Sequence, residues 1–279
     1  MNEIIKISGI FPQEVSTELY ETVLAIYPEA WNRGSINVRL PKGDPRITQI
    51  PKVLQECGVS PRDRHQDLDP SKFTLKIMRV YETQDYKQAA YLVPKPHVSL
   101  GSAAERSVSG LLSLEDDTLE LGEDIGFSTW AWIVVSTRLK EKIEQSDLKR
   151  IVLRPTEVVG SRRKRFQGQF WELTSDLFLP ALSSYCRLIT NEGQQFAGDY
   201  NQGCHYIEGL YDQGEYHYNA REINELPFDL ALTQERFGIR ERVAKHSLIA
   251  SARFYEFCVA NNLKMKWIPV RLDNGTTEV

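Results

Sequence analysis

Two stretches 115 residues apart share one pattern, and this repeat constrains the fold more than any other feature of the chain. Residues 133–158 read IVVSTRLKEKIEQSDLKRIVLRPTEV, and residues 248–272 read LIASARFYEFCVANNLKMKWIPVRL. Ser136 aligns with Ser251, Arg138 with Arg253, Glu141 with Glu256, Leu148 with Leu263 and Lys149 with Lys264; Pro155 and Pro269 are displaced by one position. Each copy predicts an apolar strand ending in a serine, whose hydroxyl can accept a free N–H at a helix start. A helix of about ten residues follows, with Leu139 and Ile143 on its buried face in one copy and Phe254, Phe257 and Cys258 in the other. A polar turn (Ser146-Asp147 or Asn261-Asn262) leads to a return strand, Ile151 to Leu153 or Trp267 to Ile268. Units of this kind pack as parallel strands joined by a right-handed crossover.

The N-terminal segment reads differently. Val15, Leu19, Val23 and Ile26 fall on one face of a helix over 13–26, stopped by Pro28. Ile36 to Leu40 predicts a short strand. Asp44-Pro45 signals a second helix, with Ile47, Ile50, Val53, Leu54 and Cys57 inward, a kink or break at Pro51 and an end at Gly58. Residues 60–71 (SPRDRHQDLDPS) are polar and carry two prolines. The period then changes to alternation at Phe73, Leu75, Ile77 and Tyr81. Tyr91 to Val93 predicts the next strand, closed by Pro94 and Pro96; residues 99–110 read as loop. The resulting expectation is an α+β chain: a small helical N-terminal module (1–60), a linker (61–72) and a larger mixed domain (73–279) containing the two repeated strand–helix–strand units.

Composition narrows the function. A net charge of -4 over 279 residues makes a dedicated nucleic-acid binder a poor fit. No apolar run approaches a membrane span, the N-terminus lacks the pattern of a signal peptide, and the four cysteines form no CxxC pair. These features predict a cytoplasmic chain with reduced thiols. Catalytic signatures are lacking: no G-x-S-x-G, no papain-like cysteine run and no phosphate-binding glycine loop. His97 and His246 are the histidines placed to act as bases, and surface or capping roles account for both more simply.

Three constellations remain. Cys186, Cys204, His205 and His217 could together ligate zinc, but their spacing matches no zinc module. Arg162, Arg163, Lys164 and Arg165 form a basic cluster, read as an exposed hairpin tip; the acidic run 115–124 reads as a solvated loop. Residues 199–218 hold five tyrosines among acidic side chains. A hairpin over 204–218, turning at Asp212-Gln213-Gly214, would either present Tyr206, Glu208, Tyr211, Asp212, Glu215, Tyr216 and Tyr218 to a partner or pack its tyrosines on the core, since only one face of a strand can be buried.

The runs PFDLALTQERFG (227–238), HSLIASARFYEF (246–257) and LKMKWIPVRL (263–272), with WIVVSTRLKEKIEQSDLKRIVLRPTEV (132–158) in the earlier copy, resemble the double-CXXCG motif proteins. These are bacterial proteins grouped with the immunity proteins of contact-dependent and polymorphic toxin systems. The resemblance spans residues 73–279 and implies a cognate protein toxin as partner, neutralised by covering its active surface, with no cofactor. Neither CXXCG motif stands in this chain, so the family's zinc ribbons are not carried over. The competing readings are an enzyme of unrecognised class, with hydrolysis as one option, recognisable by a polar pocket with perturbed titratable groups, and a nucleic-acid-associated adaptor using Arg162 to Arg165.

Overall fold

The computed structural model describes residues 2–10, 16–28, 31–32, 35–56, 58–61, 72–99, 104–106, 110–115, 123–128, 132–159, 170–186, 188–190, 205–207, 215–238 and 244–273. They fall into two compact units, one made of the described residues up to Thr83 together with Ile207, and one made of the other described residues from Gln84 onward.

The first unit is not a helical module. Its frame is a sheet of β1 (Asn2–Ile10), β2 (Trp31–Asn32), β3 (Ser35–Pro41), β4 (Ser60–Pro61) and β5 (Lys72–Val80) in the order β2-β3-β1-β5-β4. Two helices join it, α1 (Ser16–Ile26) and α2 (Arg46–Glu56). The overlooked element is β1, where Ile5 and Ile7 point inward around an outward Lys6. Ile5 lies opposite Leu40 and Ile7 opposite Val38, so alternate residues of both strands share one buried face. Val23, Ile50 and Leu54 of the helices cover that face. β5 pairs antiparallel with β1, so the alternating segment after residue 72 completes this sheet and belongs to the first unit. Asp44 starts α2 by accepting the Arg46 N–H at 2.9 Å, and Gly58 follows it at φ +80°. Pro51 lies inside an α2 that runs unbroken across it. In this sheet β1 separates β3 from β5, both antiparallel to it, which is the split β-α-β arrangement of ferredoxin-like topology.

The second unit uses the same device twice. Its elements are α3 (Thr83–Gln88), β6 (Tyr91–Pro96), β7 (Ala104–Arg106), β8 (Leu112–Glu115), β9 (Ile125–Phe127), β10 (Ile133–Ser136), α4 (Thr137–Gln145), β11 (Ile151–Val159) and β12 (Phe170–Ser175). They continue with β13 (Leu188–Thr190), β14 (His205–Ile207), β15 (His217–Asn219), α5 (Ala220–Asn224), β16 (Leu230–Phe237), β17 (Lys245–Ser251), α6 (Ala252–Ala260), β18 (Met265–Pro269) and β19 (Arg271–Asp273). One sheet runs β7-β8-β11-β12-β10-β9, another β13-β14-β16-β17-β6-β18, and β15 pairs with β19.

The repeats are β10-α4-β11 and β17-α6-β18. In neither do the two strands touch. β12 lies between β10 and β11, antiparallel to both, and β6 lies between β17 and β18 in the same way. The outer neighbour also corresponds: β9 flanks β10 and β16 flanks β17, each antiparallel. Pro94 and Pro96 do not close β6. The N–H of His97 and the carbonyl of Tyr91 bond to the β18 side, which turns the two N–H-less prolines toward β17, whose pairing stops at Leu92. Leu139 and Ile143 of α4 and Phe254, Tyr255 and Cys258 of α6 share one core with Leu92, Leu173 and Trp267. Strands dominate the described residues, so the chain fits an α+β description only loosely.

Candidate functional site

Each repeat carries the same polar cluster at its helix start. Ser136 Oγ accepts the Leu139 N–H at 3.1 Å and donates to Asp124 Oδ1 at 2.6 Å, and Arg138 grips both Asp124 oxygens at 3.0 and 2.7 Å. Ser251 Oγ accepts the Phe254 N–H at 3.2 Å and donates to Asp229 Oδ1 at 2.7 Å, while Arg253 pairs with Asp229 and Asp147. In both copies the serine N–H also donates to the aspartate carbonyl, at 2.9 and 3.0 Å. Burial opposes the charge on Asp124, but the bonds from Arg138 and Ser136 outweigh it and hold that carboxyl below its ordinary range. These clusters anchor helix starts to the neighbouring strands. The serines and arginines are visible in the repeat; the aspartates are not, because they sit 12 and 22 residues upstream of the serines.

The residues expected to meet a partner divide. His205–Ile207 forms β14, paired with β16, and His217–Asn219 forms β15, paired with β19, so the two arms make no hairpin with each other. Glu215, Tyr216 and Tyr218 are 1%, 7% and 0% exposed. Their side chains therefore belong to the interior: Tyr216 donates to Ser247 Oγ at 2.7 Å, and Glu215 lies 3.5 Å from the Arg271 guanidinium. Tyr206 lies on β14, its side chain outside the described residues; Glu208, Tyr211 and Asp212 are outside them altogether, as are Arg162, Arg163, Lys164, Arg165 and most of the acidic run.

Of the weak zinc set, Cys204 and the His205 side chain lie outside the described residues. Cys186 is buried, its thiol directed at the Glu215 carbonyl at 3.3 Å and pushed up to about 12 by desolvation. His217 Nδ1 lies 3.4 Å from Asp273 Oδ1. Among the described residues no three His, Cys, Asp or Glu side chains are placed to hold a metal. Ser183 donates to Asp273 and not to His217, so these three groups do not form a nucleophile–base relay. His97 is exposed. His246 contacts the Thr233 carbonyl at 2.8 Å, and desolvation lowers its pKa.

The surface feature that sequence reasoning missed is the segment 176–186. It leaves β12, runs beside β16 and exposes Phe178 and Tyr185, each 51% accessible. Leu179 N–H donates to Leu232 O and Leu232 N–H to Leu177 O, both at 2.8 Å; Ser183 N–H donates to His217 O at 2.8 Å. Leu182 N–H reaches Glu235 Oε1 at 2.6 Å. Leu179 and Leu182 are buried beneath, and Phe178 stacks edge-on against His246 at 4.9 Å. Two aromatic side chains thus stand outward on a backbone fixed at four points. Alternation could not reveal this, because the segment pairs by only an isolated bridge.

No family model, curated protein or solved structure matches the chain. Among the described residues no helix is long and apolar enough to cross a membrane.

Proposed function

We propose that this chain is a cytoplasmic immunity protein, related to the double-CXXCG motif proteins, that neutralises a cognate bacterial toxin by covering its active surface. The runs that carry the resemblance coincide with β10-α4-β11 and β16-β17-α6-β18. The observation that carries the binding role is the pinned segment 176–186 with Phe178 and Tyr185 outward. Aromatic side chains give large contact area with few torsions to immobilise, and interface energy concentrates on such anchors. A backbone already held by β16 and β15 loses little freedom on docking.

The test is co-expression with the product of the adjacent reading frame. The chain is expected to rescue growth and to bind that product one to one. Phe178→Ala with Tyr185→Ala is expected to weaken binding by about a thousandfold, taking ~2 kcal/mol for each hot-spot side chain and ~1.4 kcal/mol for each tenfold. Failure of the unaltered chain to bind or rescue rules out the immunity role. Full affinity in the double variant moves the interface elsewhere.

A further inference from the structure

In the sheet of the first unit, Ile5, Ile7, Val38 and Leu40 point into the core beneath α1 and α2, so the residues between them stand on the opposite face. That face is ordered in rows across three strands. Arg39 of β3 lies directly opposite Lys6 of β1, and Lys76 of β5 lies directly opposite Lys6 on its other side. The row on one flank is Asn37, Ser8 and Thr74, and the row on the other is Pro41, Ile4 and Met78. None of these nine positions holds an acid. Asn37, Arg39 and Pro41 are exposed, and Ile4, Lys6 and Ser8 are half-buried. On the covered side, α1 carries Glu18 and Glu21 and no base, so the two faces differ in charge. With strands ~4.8 Å apart, three bases fall within about 10 Å. Like charges directly opposite one another destabilise a sheet. The row therefore contributes nothing to the fold, and an anion lying along it would remove the repulsion.

We propose that this face binds single-stranded nucleic acid without regard to sequence, with phosphates along the row of Arg39, Lys6 and Lys76. A net charge of -4 gives the chain as a whole no attraction for a polyanion; the row makes the attraction local. A strand of repeating phosphates suits a straight row of bases, and the flanking rows suit the rest of the nucleotide. The amide of Asn37 and the hydroxyl of Ser8 can bond to sugars and base edges. Ile4 and Pro41 offer apolar surface to the faces of unstacked bases. A duplex keeps those faces stacked inside, and an acidic peptide has no planar ring on every unit to lay there. None of the nine positions is aromatic, so stacking adds little and phosphate contacts dominate. Binding of that kind is tolerant of sequence and steeply weakened by salt.

The test titrates the full chain into a fluorescein-labelled uridine oligonucleotide of about twenty nucleotides and follows anisotropy as salt is varied. Three phosphate contacts at about -0.7 each give a slope of roughly -2 in log affinity against log salt, or roughly a twentyfold loss between about 50 and 200 mM. Lys6→Gln with Arg39→Gln is expected to bring the slope to about -0.7 and that loss to roughly threefold. The same pair is expected to leave thermal stability equal or higher, because it removes like-charge repulsion. Lys52→Gln, exposed on α2, is expected to leave the slope unchanged. Absent or salt-independent binding by the unaltered chain overturns the proposal without any variant that has to fold. An unchanged slope in the double variant, or an equal change in Lys52→Gln, overturns the site. Polyglutamate of equal charge that competes as well as unlabelled oligonucleotide overturns nucleic acid as the occupant and assigns the row to an acidic protein.

Discussion

Removing the Asp229 carboxylate should damage the second unit more than removing its counterpart Asp124. Asp229 is 3% exposed. Its Oδ2 accepts the Lys149 N–H at 2.7 Å, and its Oδ1 accepts the Ser251 hydroxyl at 2.7 Å. Its own N–H donates to Lys149 O and its carbonyl accepts the Ser251 N–H, both at 3.0 Å. One carboxylate thus ties the turn that follows α4 to the start of α6. In Asp229→Ala the Lys149 N–H and the Ser251 hydroxyl, both held in part-buried bonds, lose their acceptor. At ~1–3 kcal/mol for each stranded donor the loss is about 2–6 kcal/mol. That corresponds to a fall in Tm on the order of 10 °C for a unit of this size. Asp229→Asn keeps one acceptor oxygen and should fall between. Asp124 holds the equivalent serine, but its other partner, Arg138, is 69% exposed, so solvent replaces much of what Asp124→Ala removes. Urea unfolding followed by tryptophan fluorescence reads the effect, since Trp132, Trp171 and Trp267 all lie in this unit. An Asp229→Ala chain within about 1 kcal/mol of the parent, or an Asp124→Ala chain that loses as much, would refute this account of the clusters.

Two further outcomes follow from buried groups. A Cβ on Gly238 would stand 2.8 Å from Ala244 Cα, so Gly238→Ala should force the ends of β16 and β17 apart and cost about 1–3 kcal/mol; unchanged thermal stability would contradict the close approach. Glu235 is fully buried, its Oε2 has no partner among the described residues, and desolvation raises its pKa. The unfolded carboxyl ionises near pH 4.3 while the folded one keeps its proton to higher pH, so the unfolded chain binds fewer protons across that window and stability falls as pH rises through it. Glu235→Gln mimics the protonated side chain and should flatten the profile between those limits; parallel unfolding profiles for the two chains would exclude a neutral Glu235.

What the sequence discloses is local, and what it conceals is non-local. The serine caps of α4 and α6 were legible because a cap needs a side-chain acceptor three residues before a free N–H, a relation written within one turn of chain. The two helices of the first unit were legible from Val23, Ile50 and Leu54 at helical spacing. Their partner β1 is harder to read, because among its described side chains only Ile5 and Ile7 are buried around Lys6, and so short an alternation does not define a strand by itself. The tyrosines at 216 and 218 misled for another reason. Alternation shows that Tyr216 and Tyr218 share a face of β15, but not whether that face meets solvent or core, and β19 decides it by pairing from 54 residues away. Asp229 and Glu172 were invisible as anchors because their partners lie 80 and 66 residues distant.

The order of strands also says something about how the second unit holds together. β6 is its first strand, yet it pairs with β17 and β18, near its C-terminal end. Between them come β10-α4-β11 and β12, whose sheet meets the other through Ser175 Oγ, which donates to the Leu230 carbonyl at 2.8 Å. A repeat that closed its own β-α-β unit could order by itself. Here β17 and β18 can become parallel members of one sheet only when β6, more than 150 residues earlier, is placed between them. Closing so long a loop is entropically unfavourable until the contacts at both ends form. Stability in the C-terminal copy therefore depends on Leu92 and Val93 at the other end. The segment carrying Phe178 and Tyr185 hangs on β16, inside that sheet, so the surface assigned to partner binding depends on β16 being held there.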